Sequence, residues 1–123
     1  MSYAKSFEVF EVLSDIKEWN AETFPDATLA GQLAKLEEEF EEHSKAEGFE
    51  SKKKELADIF IVLGGLMRWN SRVGKFIATN ILDIMLPEAV EGLLEDIKAK
   101  MEVNKERTRK GLWKKQPDGS YHH

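Results

Sequence analysis

The sequence predicts an all-α helical bundle of four to five helices. Apolar residues recur at three- and four-residue spacing along nearly the whole chain, and no stretch sustains the period-two alternation of a strand. The breaks in that pattern fall at proline, glycine and capping residues.

Phe7, Phe10, Leu13, Ile16 and Trp19 mark a first helix, which the segment NAETFPDAT (residues 20–28, with Pro25) interrupts. Leu29, Leu33, Leu36 and Phe40 share one face of a second helix, because each residue advances about 100° around the axis. Gly48 supplies a stop and Ser51 a fresh N-cap. Leu56, Ile59, Phe60, Leu63 and Met67 then mark a third helix ending between Trp69 and Gly74. The run KFIATNILDIML (75–86) is a further helical stretch, and Pro87 starts a last long helix through Val90, Leu93, Leu94, Ile97 and Met101 to Arg107. Residues 108–123 read as an irregular tail. The 123 residues form a single domain, long enough to bury a core without staples.

Composition removes several classes of function. There is no cysteine, hence no disulfide, thiolate metal site or cysteine nucleophile. The first residues carry neither a basic leader nor a long apolar run, and no stretch approaches the ~18 apolar residues of a membrane span, so a cytoplasmic protein with no membrane partner is expected. The formal net charge of −5 and the absence of a recognised reading module argue against nucleic acid as a partner. The charge is unevenly spread, however. Acids crowd residues 37–58, whereas Lys98, Lys100, Lys105, Arg107, Arg109, Lys110, Lys114 and Lys115 dominate the end of the chain. Such a division suits an anionic ligand that carries metal, and it equally suits charge pairing between two packed helices.

Five of the seven residues from Leu36 to Glu42 are glutamates. Glu39 and Glu42, three apart, point the same way from adjacent turns, where like charges repel unless solvent or a cation relieves them. Glu37 and Glu41 fall on the opposite flank as ordinary solvated charge. In LADIFIVLGGLM (56–67) Asp58 is the single charged residue, and Glu55 lies three positions before it. A helix apolar on nearly every side is buried on nearly every side, and a carboxylate there needs a partner; a metal ion is a good candidate. The short gap from Glu42 to Glu55 folds back as a hairpin and brings the acidic stripes of an antiparallel helix pair face to face. Four carboxylates with all-oxygen donors favour Mg²⁺ or Mn²⁺ over zinc. The Glu-x-x-His pattern of a di-iron bundle is missing, since Phe40 stands three residues before His43. The Gly64–Gly65 pair weakens the third helix but permits a close approach or a kink.

Glu38-Glu39-Phe-Glu-Glu42, twelve intervening residues, then Glu55-Leu-Ala-Asp58 resembles the EExxE…ExxD signature of the MazG-like all-α nucleoside triphosphate pyrophosphohydrolases. WNAETFPDATLAGQLAKLEEE is similar to the segment that leads into their first acidic motif. KMEVNKERTRKGLWKKQPDGSYHH is similar to their closing lysine, asparagine and arginine helix with its Asp-Gly tail. The resemblance covers Trp19 to the C-terminus, and the Glu42–Glu55 gap is at the short end of what the family shows. It implies cleavage of a nucleoside triphosphate between the α and β phosphates, giving the monophosphate and pyrophosphate. It also implies that Glu39, Glu42, Glu55 and Asp58 hold Mg²⁺, with Glu38 beside them either to support the ligands from behind or to help orient the attacking water. Lys100, Asn104 and Arg107, which share a helix face, would meet the phosphates, with Lys35 as a further candidate. Trp19 and Phe24, beside the irregular 20–28 segment, are the better candidates for stacking on a base; Trp69 and Trp113 are others, and core packing is the plain alternative for each. Asn20 and Asn80 have the chemistry to read a base edge, though nothing in the sequence selects either. The two C-terminal histidines are left outside the site. Family members assemble as homodimers or dimer-based homotetramers, and the same is expected here. The competing reading is a non-catalytic helical interaction protein whose acidic hairpin meets a basic partner.

Overall fold

A computed structural model describes residues 3–123, with side chains from Phe7 onward. Five helices follow in order: α1 (Tyr3–Thr23), α2 (Leu29–Lys45), α3 (Phe49–Leu66), α4 (Ser71–Asp83) and α5 (Pro87–Arg109). Helix α3 is the axle of the bundle. It packs against each of the other four, and Ala57, Ile59, Phe60, Val62, Leu63 and Leu66 are buried along it. Val9, Leu13 and Ile16 of α1 and Val90, Leu93 and Ile97 of α5 complete the core around it. Gly64 is what lets α1 come so close. A Cβ there would stand 2.8 Å from Ile16 Cγ2 and 3.1 Å from the Leu13 carbonyl oxygen, so only glycine fits without displacement.

Caps fix the boundaries. Thr28 accepts the Gly31 amide at 3.0 Å and starts α2, and Asn70 accepts the Val73 amide at 3.1 Å and starts α4. Pro87 occupies the first turn of α5, where its missing N–H costs nothing. Helix α3 starts three residues earlier than Ser51 as N-cap would place it. Gly48, at φ 86°, turns the chain in the left-handed region that favours glycine, and Ser51 lies inside the helix. Helix α4 likewise begins at Ser71 rather than Lys75, because Asn70 caps it straight after the short turn of residues 67–69 that ends α3.

Two expectations are corrected. The stripe Leu29, Leu33, Leu36 and Phe40 does not face the core as a unit: Leu36 is buried, but the other three are 42%, 46% and 42% exposed. Gly31, Gln32, Lys35 and Glu39, centred about 115° around the helix from the stripe, turn towards the interior instead. The tail is not irregular either. Helix α5 runs to Arg109, and strands β1 (Lys114–Lys115) and β2 (Tyr121–His122) then pair antiparallel, Lys114 opposite His122 and Lys115 opposite Tyr121. The Gln116–Ser120 turn closes through Gly119 at φ 87°. This hairpin folds back across the end of α1 and the start of α2, where Gly31 abuts the Gly119 backbone so closely that a Cβ would overlap it. No helix among the described residues is long and apolar enough to cross a membrane.

Candidate functional site

Helices α2 and α3 run side by side, and their acidic residues meet. Glu39, Glu42 and Glu55 each offer a carboxylate oxygen within 4.8 Å of the others, close enough for the three to hold a metal ion. Glu39 and Glu55 each bury one oxygen, Oε2, that meets no hydrogen-bond donor among the described residues. The Glu39 side chain is only 7% exposed. Burial pushes its carboxyl up from the ordinary 4.5 to about 7; Lys35 pulls it down, and Asp58 and Glu42 add like-charge repulsion. Burial also raises Glu55, helped by Asp58 and Glu42. Orphaned buried carboxylate oxygens are costly, and a cation among them removes both the repulsion and the missing hydrogen bonds. The donor set, all oxygen and formally −3, fits a hard divalent cation.

Asp58 stands beside this trio rather than within it. Its partner is Lys100 of α5, whose Nζ lies 3.1 Å from Oδ1 and 3.2 Å from Oδ2. The partner that the sequence left to a metal is therefore supplied, in the resting molecule, by the basic helix. Glu38 contacts Lys35 at 3.6 Å and His122 Nε2 at 3.3 Å, at the mouth of the cluster. Lys35 reaches Glu39 Oε1 at 3.2 Å.

A cavity of about 380 Å³ opens from the carboxylates. Glu38, Glu39, Glu42 and Asp58 form its acidic end, and Glu55 closes the cluster from α3 without lining the cavity. Lys100, Asn104 and Arg107 line a second wall, with Asn104 buried and its Oδ1 accepting from Arg107 Nη1 at 3.1 Å. The far end is aromatic. Trp19, Phe24 and Trp113 meet edge to face at centroid distances of 5.2–6.4 Å, and Tyr121 lies tilted on Phe24 at 4.4 Å. Phe24 is itself buried, so it packs this wall and offers little face of its own. Tyr121 donates its hydroxyl to Asp26, which pushes the phenol up to about 12 and Asp26 down, and Lys115 reaches the Asp26 carbonyl at 3.2 Å. These contacts lash the hairpin to the α1–α2 connection.

All the candidate residues except Glu55, Trp69 and Asn80 thus line one cavity. Trp69 lies under the Arg68 guanidinium at 4.6 Å. Asn80 is exposed on α4, donating to the Phe76 carbonyl, away from the cavity. His122 and His123, left out of the site, line it. Burial lowers the His123 pKa, and Arg107, Lys35, His122 and Lys100 reinforce the shift, a measure of how much positive charge converges there. Gln32, Gly31 and the hairpin residues escaped the sequence. The one available signal was the Pro117-Asp118-Gly119 turn, which marks a hairpin but not where it docks. Comparison with protein-family models, curated proteins and solved structures found no match for the chain.

Proposed function

We propose that this protein is a divalent-metal-dependent nucleotide pyrophosphohydrolase, cleaving a (deoxy)nucleoside triphosphate between the α and β phosphates to the monophosphate and pyrophosphate. The observation that carries the reading is one cavity with three kinds of wall: an acidic end of Glu38, Glu39, Glu42 and Asp58 backed by Glu55, a Lys100–Arg107 wall, and an aromatic end. A triphosphate nucleotide needs all three, for its metal, its phosphate charge and its base. The motifs that resemble those of the MazG-like enzymes fall on the same walls.

Glu39, Glu42 and Glu55 would hold Mg²⁺, or Mn²⁺, with Asp58 joining once Lys100 turns to the phosphates. When bound, the metal supplies Lewis acidity at a phosphoryl oxygen and eases formation of the attacking oxygen nucleophile. Arg107 presents two guanidinium donors to a phosphate, held in place by Asn104, and Lys100 acts as a point charge. Glu38, at the mouth, orients the attacking water by accepting its hydrogen bond. Trp19 and Trp113 flank the base. The exposed stripe of Leu29, Leu33 and Phe40 is the face through which two copies would pair, consistent with a cytoplasmic homodimer or dimer-based tetramer acting in pool control or house-cleaning.

The test is a hydrolysis panel of the common NTPs and dNTPs with and without Mg²⁺, on the wild type and on Glu55→Gln. Turnover that chelation and Glu55→Gln both abolish supports the reading. No turnover, together with no Mg²⁺-dependent rise in melting temperature, would leave the acidic hairpin as a non-catalytic binding surface.

A further inference from the structure

At the aromatic end of the cavity stand two side-chain amides, Asn20 of α1 and Gln32 of α2. Each is held by a partner that can act in only one sense. Arg68 Nη1 donates to Asn20 Oδ1 at 2.8 Å, and a guanidinium has no acceptor, so the Asn20 oxygen must face Arg68. Gln32 Nε2 donates to the Val62 carbonyl at 2.9 Å, and a carbonyl has no hydrogen to give, so the Gln32 nitrogen must face α3. Neither amide can flip without losing its bond.

The locking leaves one group of each amide over. Among the described residues, Asn20 Nδ2 donates to nothing and Gln32 Oε1 accepts nothing. Asn20 is 9% exposed and lines the cavity, so a molecule bound there comes within reach of its leftover donor. The two side chains are neighbours. Both lie over Gly65, where a Cβ would overlap Gln32 Nε2 and stand 2.9 Å from Asn20 Nδ2. Glycine at 65 is therefore what allows the amides to lie side by side against α3. Arg68 also takes the Phe24 carbonyl at 3.0 Å, which ties the Asn20 donor to the same end of α1 that positions the aromatic wall.

A fixed donor and a fixed acceptor on neighbouring side chains, in a cavity that Trp19 and Trp113 also line, are complementary to a planar heterocycle that carries an acceptor and a donor along one edge. That is the chemistry of a nucleobase's Watson–Crick edge. We infer that Asn20 and Gln32 form the base-reading edge of the cavity, and that their enforced orientation, not the aromatic wall, sets which nucleobase is accepted. Aromatic faces accept any base, whereas a locked hydrogen-bonding pair rejects a base whose donor and acceptor are exchanged, because both protein groups are then left unpaired in a buried site. The inference rests on the nucleotide reading and goes beyond it by assigning specificity to two residues remote from the carboxylates. Neither touches the reacting phosphates; they are positioning residues.

The test is calorimetric titration with Mg²⁺ of the four deoxynucleoside α,β-methylene triphosphates and of inorganic tripolyphosphate. It compares the wild type with Asn20→Asp, which keeps the oxygen for Arg68 but replaces the free donor by an acceptor, and with Gln32→Met, which keeps the volume and removes the acceptor. The wild type should prefer one base over the poorest by about tenfold or more. Each variant should shrink or reorder that ratio by about tenfold, while tripolyphosphate affinity stays within about twofold, a sign that the fold and phosphate wall are intact. A base-blind wild type that still binds tripolyphosphate, or an unchanged base ratio in both variants, would overturn the inference and leave the nucleotide reading standing. Failure of every triphosphate and of tripolyphosphate to bind would overturn that reading and this inference together.

Discussion

Replacing Glu39 by Gln should stabilise the metal-free protein at neutral and alkaline pH, although it removes a residue from the heart of the site. The folded state holds the Glu39 proton up to about pH 7, whereas an ordinary glutamate releases it at 4.5. Between those values the folded chain carries a proton that the unfolded chain has lost, so stability falls as pH rises through the window, and the full cost is present above about pH 7. At about 1.4 kcal/mol per pH unit the gap amounts to roughly 3 kcal/mol, an order-of-magnitude figure for a side chain this buried. Glutamine has no proton to lose. The stability difference, Glu39→Gln minus wild type, should therefore grow by about 3 kcal/mol from about pH 4 to about pH 8, or roughly 10 °C in melting temperature for a domain of this size. Thermal denaturation in chelator across that range measures it. Saturating Mg²⁺ at pH 8 should reverse the order, because the wild type, with Glu39 already ionised there, gains the larger binding free energy from the cation. Melting curves for the two proteins that stay parallel from acid to alkaline pH would refute the argument that an unrelieved carboxylate is stored between α2 and α3.

Other outcomes follow from the packing. Lys100→Met should lower kcat/KM for the triphosphate by about ten- to a hundredfold, as loss of a charged hydrogen bond does. It should cost the resting fold no more than about 1 kcal/mol, since the Lys100–Asp58 pair is 35% and 25% exposed; steady-state kinetics alongside urea titration separate the two. Gly64→Ala drives a methyl against Ile16 and the Leu13 carbonyl, and should lower the urea midpoint by an amount equivalent to about 1–3 kcal/mol. Gly31→Ala should lift the hairpin from α2, so that hydrogen exchange at residues 112–123 rises about tenfold or more while that of α3 is unchanged.

The helices were legible because their signals are local. Leucine and isoleucine periodicity, Pro87 at the start of α5 and the glycine at 48 act within a turn or two of where they stand in the chain. The Glu39–Glu42 and Glu55 stripes were legible for the same reason: a hairpin of two helices leaves little choice about which faces meet. What escaped depends on partners distant in sequence. The Lys100–Asp58 pair spans 42 residues and the Arg68–Asn20 bond 48, and no periodicity reports either. The leucine stripe of α2 misled because a pattern identifies an apolar face without saying what covers it, and here Glu39, Lys35 and Gln32 took the inward side. The tail misled because its order comes from tertiary contacts, Tyr121 on Phe24 and Gly119 on Gly31, not from propensity.

Cleavage between the α and β phosphates is read directly by ³¹P NMR of a single incubation. A nucleoside triphosphate incubated with the wild-type protein and Mg²⁺ should give monophosphate and pyrophosphate in equal amounts, with no diphosphate, and no change in the presence of chelator. Diphosphate with orthophosphate, or a spectrum that Mg²⁺ leaves unchanged for every nucleotide, would rule out α–β cleavage by this protein.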